Sequence, residues 1–335
     1  MMTIVKINTI YLIASLKFSN VFLMFLIFMG FIISKKLRFL SELIYNNCVR
    51  GKKMKRVLAI HDISCVGKCS CTVALPVISA AGLECSILPT ALLSTHTGGF
   101  TGYTFLDLTE EMEKIFSHFK NLNLQVDAIY SGYLGSSSQI DLLIEKVDYY
   151  HQFSSLYICD PVMADNGKLY PAFDLNYVKE MKKLVRKADV IIPNLTEASF
   201  LLEKEYKNIF SKDEVKELLK KLTELGPKIS ILTGVSFDKT KLGAMAYDSV
   251  NEKFYEFFTD RIDGYYHGTG DLFSSAIVGC LLNNIDIQKS LEIATTFTYD
   301  SIKKTHQDNL DVKYGVEFEY FIDKFSKEIK ENSCK

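Results

Sequence analysis

The chain has 335 residues, 39 basic and 40 acidic side chains, a formal net charge of -1 and 48% hydrophobic residues. That length allows one large α/β domain or two small ones, with an extensive core. Balanced charge, with no basic stripe or interleaved aromatic and basic residues, leaves no electrostatic footprint for nucleic acid. The first segment in chain order is apolar, "YLIASLKFSNVFLMFLIFMGFIIS", broken by Lys17, Ser19 and Asn20 and followed by Lys35, Lys36 and Arg38. Its longest clean run, Val21 to Ile33, falls short of the ~20 residues a membrane helix needs. No A-x-A cleavage signal follows, which disfavours a secretory signal peptide. Residues 1–53 therefore read as a membrane anchor or as an extension from an upstream start codon. The second is preferred, because an α/β domain gains nothing obvious from such an anchor.

From Met54 onward, short apolar runs alternate with helical patterns, the signature of a mostly parallel sheet flanked by helices in a single domain, 54–335. Strands are predicted at Arg56 to Ile60, Glu84 to Pro89, Ala128 to Ser131, Leu156 to Cys159, Val190 to Ile192 and Ile229 to Thr233. Helical stretches include Leu108 to Phe119, Tyr177 to Arg186 and Lys212 to Leu225. Gly243 to Asp248 and Phe254 to Phe258 flank "SVNEK" and read as a hairpin at the sheet edge. Helices at Gly270 to Asn283 and Ile287 to Lys304 then close the pattern. The eight cysteines are scattered without repeated CxxC pairs. Their spacing argues against a zinc site or disulfide framework and suits a reducing cytosol.

Ligands of open parallel sheets gather outside the carboxyl ends of the strands. Polar residues stand there: His61 and Asp62 after the first strand, Asp160 after the fourth, Asn194 to Glu197 after the fifth, Thr233 and Gly234 at the sixth. Singly, each passes for a turn or cap residue, and Asn194 with Glu197 resembles a capping box. Together they would converge on one crevice.

Gly268-Thr269-Gly270-Asp271 opens the apolar helix that follows. Helix N-termini carry unpaired N–H groups and partial positive charge, and glycines let an anion approach the backbone. The stretch therefore suits a phosphate beside a carboxylate, although Asp271 alone could be a helix cap. The chain contains no GxxxxGK[ST], dinucleotide fingerprint, HExxH or GxSxG pattern. What remains is an anion-binding turn with a potential base, plus Asp160, Asp165 and Glu197, oxygen ligands that suit magnesium. That combination describes a small-molecule kinase.

"GTGDLFSSAIVG" resembles the signature of the ribokinase-like superfamily. Five further stretches resemble its pyridoxal kinase branch, particularly the bacterial pyridoxamine kinase group: "VLAIHDISCVGKCSCTVALPVISAAGLECSILPTALLSTHTGGF", "DAIYSGYLGSSSQI", "CDPVMADNGKLY", "ADVIIPNLTEASFLL" and "HGTGDLF". Together these cover about Met54 to Lys304. The resemblance implies a three-layer α/β fold and ATP-dependent phosphorylation of the 5'-hydroxyl of B6 vitamers, in vitamin salvage. It also implies Mg2+, activation by a monovalent cation such as K+, a homodimer and a cytoplasmic location, with membrane contact only through residues 1–53.

Carried over by position, Asp271 is the catalytic base, and Gly268, Thr269 and Gly270 form the anion hole. Asp160, Asp165 and Glu197 face the metal and triphosphate, with Asn194 supporting them and Thr233 and Gly234 near the nucleotide. Asp62, Thr97 and Tyr133 meet the pyridine ring or cover it, and "STHTGGFTGY" is the flap. The chain departs from the family pattern at Asp62, where Ser is common, in its flap, and at Ala164, where Gly is usual. Asp62 suggests a preference for pyridoxamine. Hydroxymethylpyrimidine kinase is the nearest alternative, although its members typically carry Cys at the Asp271 position and a "GSD" start. A non-catalytic nucleotide-binding protein is the alternative from another class.

Overall fold

The computed structural model describes residues 54–207 and 209–333; the expectation for residues 1–53 lies outside the described residues. In chain order it contains β1 (Arg56–Val66), α1 (Cys71–Ala80), β2 (Glu84–Thr95), β3 (Phe105–Asp107), α2 (Thr109–Asn121), β4 (Ala128–Ser131) and α3 (Ser137–His151). There follow β5 (Leu156–Cys159), β6 (Ala164–Asp165), β7 (Lys168–Leu169), α4 (Leu175–Val185), β8 (Val190–Ile191), α5 (Leu195–Leu201) and α6 (Lys212–Glu224). The chain finishes with β9 (Ile229–Val235), β10 (Lys241–Asp248), β11 (Lys253–Asp260), α7 (Thr269–Leu282), α8 (Ile287–Gln307) and α9 (Ile322–Asn332).

Nine strands form one sheet in the order β11-β10-β9-β8-β5-β4-β1-β2-β3. The six from β2 to β9 pair in parallel. β3 at one edge and the β10–β11 hairpin at the other run antiparallel to their neighbours. Side chains alternate across each strand, so Val57 and Ala59 of β1 face one core while Leu58 and Ile60 face the other. Helices α2 to α6 cover the second face, and α1 with α7 to α9 cover the first. A sheet covered on both faces explains why its strands read as continuous apolar runs instead of alternating ones.

The structure extends β9, β10 and β11 slightly beyond the expected bounds and two other strands much further. β1 continues beyond Ile60 to Val66, and β2 beyond Pro89 to Thr95, because Ile63 to Val66 pair with Leu92 to Thr95. Their register shifts between His61 and Ile63, a bulge at the mouth of the sheet. The small β6–β7 hairpin was also not expected; it turns through Asn166 and Gly167, both with positive φ. Asn-Gly is the preferred pair for that tight turn. Among the described residues no helix is long and apolar enough to cross a membrane.

α7 is apolar on nearly every side, with ten of its side chains buried from Leu272 to Leu282. Such a helix belongs inside a protein, and its packing fixes where its first turn ends up. Ile277→Ala should lower stability by ~2–5 kcal/mol, read as a lower denaturation midpoint at unchanged denaturant slope.

Candidate active site

One cavity of about 640 Å³ lies over the carboxyl ends of the parallel strands. Every residue given a site role lines it: Asp62, Thr97, Tyr133, Asp160, Asp165, Asn194, Glu197, Thr233, Gly234, Gly268, Thr269, Gly270 and Asp271; His61, the strand-end neighbour of Asp62, does not. The chain leaves β1 first to one side, for β2, and later to the other, for β4. A crevice opens at such a switch point, and Asp62 and Tyr133 stand on its two sides.

Asp271 occupies the first turn of α7 behind Gly268, which has φ 74. A Cβ on Gly268 would lie 1.9 Å from the Lys68 carbonyl oxygen. Both the left-handed backbone and the close approach therefore demand glycine here. The first N–H groups of α7 have no intrahelical acceptor, and Gly270 presents only open space where a side chain would stand. The Asp271 side chain is 15% exposed. Burial raises its pKa from 3.8 to about 7, the Asp62 charge adds to this, and the Ser70 backbone N–H opposes it. A helix N-terminus favours the ionised form by only about 0.3–1 kcal/mol, while each pKa unit is worth about 1.4 kcal/mol. Burial wins, which leaves a carboxyl group able to exchange a proton near neutrality. Ser70 itself has φ 51, costly for a non-glycine residue, in the position that presents its N–H to Asp271.

Asp160 follows β5 and accepts a 2.7 Å hydrogen bond from Ser274 Oγ of α7. Burial and the neighbouring Asp271 charge raise its pKa. Glu197 has a double assignment. Its Oε2 accepts from Asn194 N at 2.9 Å and its Oε1 from Met163 N at 3.0 Å, while Asn194 Oδ1 accepts from Glu197 N. The capping box seen in sequence is therefore real, and it also fixes Asn194, whose Nδ2 donates to the Ala164 carbonyl at 2.8 Å. Asp165 sits in the β6–β7 hairpin and accepts from Tyr265 Oη at 2.7 Å.

Asp62, only 5% exposed, accepts from Ser64 Oγ at 3.1 Å. Burial raises its pKa against the Ser70 and Ser64 hydrogen bonds. Tyr133 is backed by Phe173, which stacks on Tyr177 with ring centroids 3.9 Å apart. Thr97 belongs to a segment rooted by His96, whose Nε2 lies 2.7 Å from the Lys313 carbonyl and whose Nδ1 accepts from Gly98 N. Gly98 packs against His267, where a Cβ would come within 2.4 Å. Its small size therefore serves contact as well as loop freedom.

Among the described residues six carboxyl groups line the cavity (Asp62, Asp160, Asp165, Glu197, Asp260 and Asp271), and no Lys or Arg does. Burial lowers the pKa of both lining histidines, His96 and His267. Lys68, whose carbonyl abuts Gly268, is held by Glu317 and Glu319 at 2.8 Å each. A polyphosphate needs positive charge that these side chains do not supply, so the donor set fits a divalent cation. Among the described residues no three metal-binding side chains converge.

Sequence reasoning missed His96, Ser70, Tyr265 and His267 as parts of the site. His96 stands in "STHTGGFTGY", His267 opens "HGTGDLF" and Tyr265 lies two residues before it, but only packing shows what they touch. The raised Asp271 pKa sets a sign for stability. The folded protein holds this proton more tightly than the unfolded chain, so the contribution is full below 3.8 and lost as pH rises through about 7. Asp271→Asn should then raise Tm by ~2–4 °C, about 1 kcal/mol, on the alkaline side of that range. A lowered Tm there would mean that the ionised carboxylate is stabilising.

Comparisons with known proteins agree with this geometry. The family profile described as phosphomethylpyrimidine kinase matches residues 74–316. The pyridoxal kinase of Dictyostelium discoideum is 26% identical over 285 residues, covering 79% of this chain and 91% of its own length. A Bacteroides thetaiotaomicron protein assigned as a phosphomethylpyrimidine kinase, solved with pyridoxal, is 39% identical with a TM-score of 0.80. The match covers 84% of this chain and 99% of that one. Pyridoxal kinase from Lactobacillus plantarum is 28% identical with a TM-score of 0.75, over 84% of this chain and 100% of its own. The chain thus belongs to the phosphomethylpyrimidine kinase family and is a small-molecule kinase with the ribokinase-like fold.

Proposed function

We propose that this kinase transfers the terminal phosphoryl group of ATP to the 5'-hydroxyl of B6 vitamers, in vitamin B6 salvage. The observation that carries the chemistry is Asp271, a carboxyl group raised to about 7 beside the free N–H groups of a buried helix. The choice of acceptor is supported by the relatives named pyridoxal kinase and by the pyridoxal in the crystals of the Bacteroides protein. Residues 54–335 are the proposed catalytic domain. Free thiols at all six described cysteines support a cytoplasmic setting. A homodimer is part of the proposal, since Phe105 and Leu106 of edge strand β3 are exposed.

In this mechanism Asp271 takes the proton of the 5'-hydroxyl as its oxygen attacks the phosphoryl group. The N–H groups after Gly268 receive the developing charge on the transferred phosphate. Asp160, Asp165 and the Asn194–Glu197 pair form the acidic side where Mg2+ would be held, with Thr233 and Gly234 toward the nucleotide. When bound, Mg2+ neutralises and orients the triphosphate, and K+ would add to that neutralisation. Tyr133 supports one face of the pyridine ring, and the segment around Thr97 excludes water from the other side. Asp62 faces the ring as a buried acceptor suited to an amine or a pyridinium N–H.

The test offers pyridoxal, pyridoxamine, pyridoxine and hydroxymethylpyrimidine separately, with magnesium and ATP, and quantifies the phosphorylated product. Conversion of B6 vitamers is expected. Hydroxymethylpyrimidine is the second reading, favoured by the description of the matching family, and conversion of it alone would replace the vitamer assignment. Asp271→Asn should cut turnover by ~10²–10⁴ while nucleotide still binds, whereas a mere helix cap would tolerate Asn. Asp62→Ser should erase a preference for pyridoxamine over pyridoxal; unchanged vitamer ratios would remove Asp62 from specificity.

A further inference from the structure

His61 lies at the bulge of β1, fully buried, with its ring against Tyr130 of β4 at 4.4 Å between centroids. Its Nδ1 stands 3.9 Å from Asp271 Oδ1. Among the described residues neither ring nitrogen has a hydrogen-bond partner. The fold makes room for this ring. A Cβ on Gly132 would lie 2.3 Å from both Cε1 and Nδ1, and Gly132 is pinned by its own N–H to the Ile60 carbonyl. A polar ring enclosed this tightly, with one nitrogen aimed at the proposed base, is more than core filling.

Burial pushes the imidazole down to about 3, so it is neutral at any working pH and carries one N–H. Leaving that donor unpaired in the interior is costly. The groups facing Asp271 are few. Asp62 of β1 and Asp160 after β5 bring negative charge, and the buried thiols of Cys69 and Cys71 and the hydroxyl of Tyr130 stay protonated. The Ser70 N–H approaches from the start of α1.

We propose that His61 is a positioning residue for Asp271: with its proton on Nδ1, it donates to the carboxylate from behind and aims the free oxygen at the acceptor hydroxyl. The inference rests on the reading of Asp271 as the base. At 3.9 Å the pair is longer than a hydrogen bond, and a small turn of the carboxylate closes it when substrate binds, as catalytic hydrogen bonds commonly tighten. The same donor steadies the ionised form of Asp271, so losing it should make the base harder to ionise.

His61→Phe keeps a ring and removes the donor; His61→Gln restores an N–H. The acid limb of the kcat profile should move up by about half to one pH unit in His61→Phe. Its kcat near neutrality should fall about 3- to 10-fold, with KM nearly unchanged. His61→Gln should recover much of both. An acid limb at its original position in a folded His61→Phe would overturn the proposal. A readout independent of turnover and of variant folding is the long-range 1H–15N spectrum of the intact protein. His61 should be neutral with the proton on Nδ1, and a proton on Nε2 would overturn the assignment. Should Asp271→Asn keep its activity, the base reading falls and this inference with it; should Asp271→Asn be inactive while His61→Phe behaves as the parent, only this inference falls.

Discussion

A carboxyl group withheld from water at the start of a buried helix is the constraint on which this molecule depends. α7 is too apolar to lie on a surface, so it packs with α1 and α8 against one face of the sheet. That packing carries its first turn to the switch point between β1 and β4. Asp271 is then enclosed by Asp62, Ser70 and His61, and burial overrides the helix N-terminus to hold its pKa near neutrality. The cost of keeping a carboxylate there is borne by the core packing of the rest of α7, from Leu272 to Leu282.

The same enclosure sets the charge of the crevice. Among the described residues the crevice is lined by six carboxyl groups and no Lys or Arg, so it offers a polyphosphate no cationic side chain, and Lys68, whose carbonyl abuts Gly268, is engaged by Glu317 and Glu319. In the proposed mechanism anion binding therefore falls to backbone N–H groups and to cations that would accompany the nucleotide. Glu197 shows how structure and site share one residue. Its oxygens cap α5 and hold Met163, and this arrangement presents Asn194 and the Asp165 hairpin to the cavity. A cap and a functional support are not competing descriptions of such a residue.

On the opposite side, the cavity wall around Thr97 is built from contacts distant in sequence. His96 anchors the Thr97 segment to Lys313, and Phe100 packs edge-on against Tyr314. Lys68 N donates to the Tyr314 carbonyl, which ties the turn before α1 to the same C-terminal segment. The Thr97 segment and the turn before α1 thus share a brace. Displacement of the segment 312–315 would disturb both.

Local chemistry determined much of this by itself. The apolar runs at 56–60, 128–131 and 156–159 read as buried strands, and the glycines before Asp271 as a tight turn that opens a helix. Polar residues at successive strand ends had to meet, because parallel strands bring their carboxyl ends to one edge. Tertiary structure decided the rest. β1 and β2 outran their apolar cores because each supplied hydrogen-bond partners to the other, and residues 61–66 carry no periodicity that could reveal it. His96, Ser70 and Tyr265 gained their roles from neighbours far along the chain. His61 had already stood out as a polar residue at a strand end, but sequence could not show it as a buried donor beside Asp271. That role depends on a glycine at 132 and a carboxylate at 271, which only the packed sheet and helix bring together.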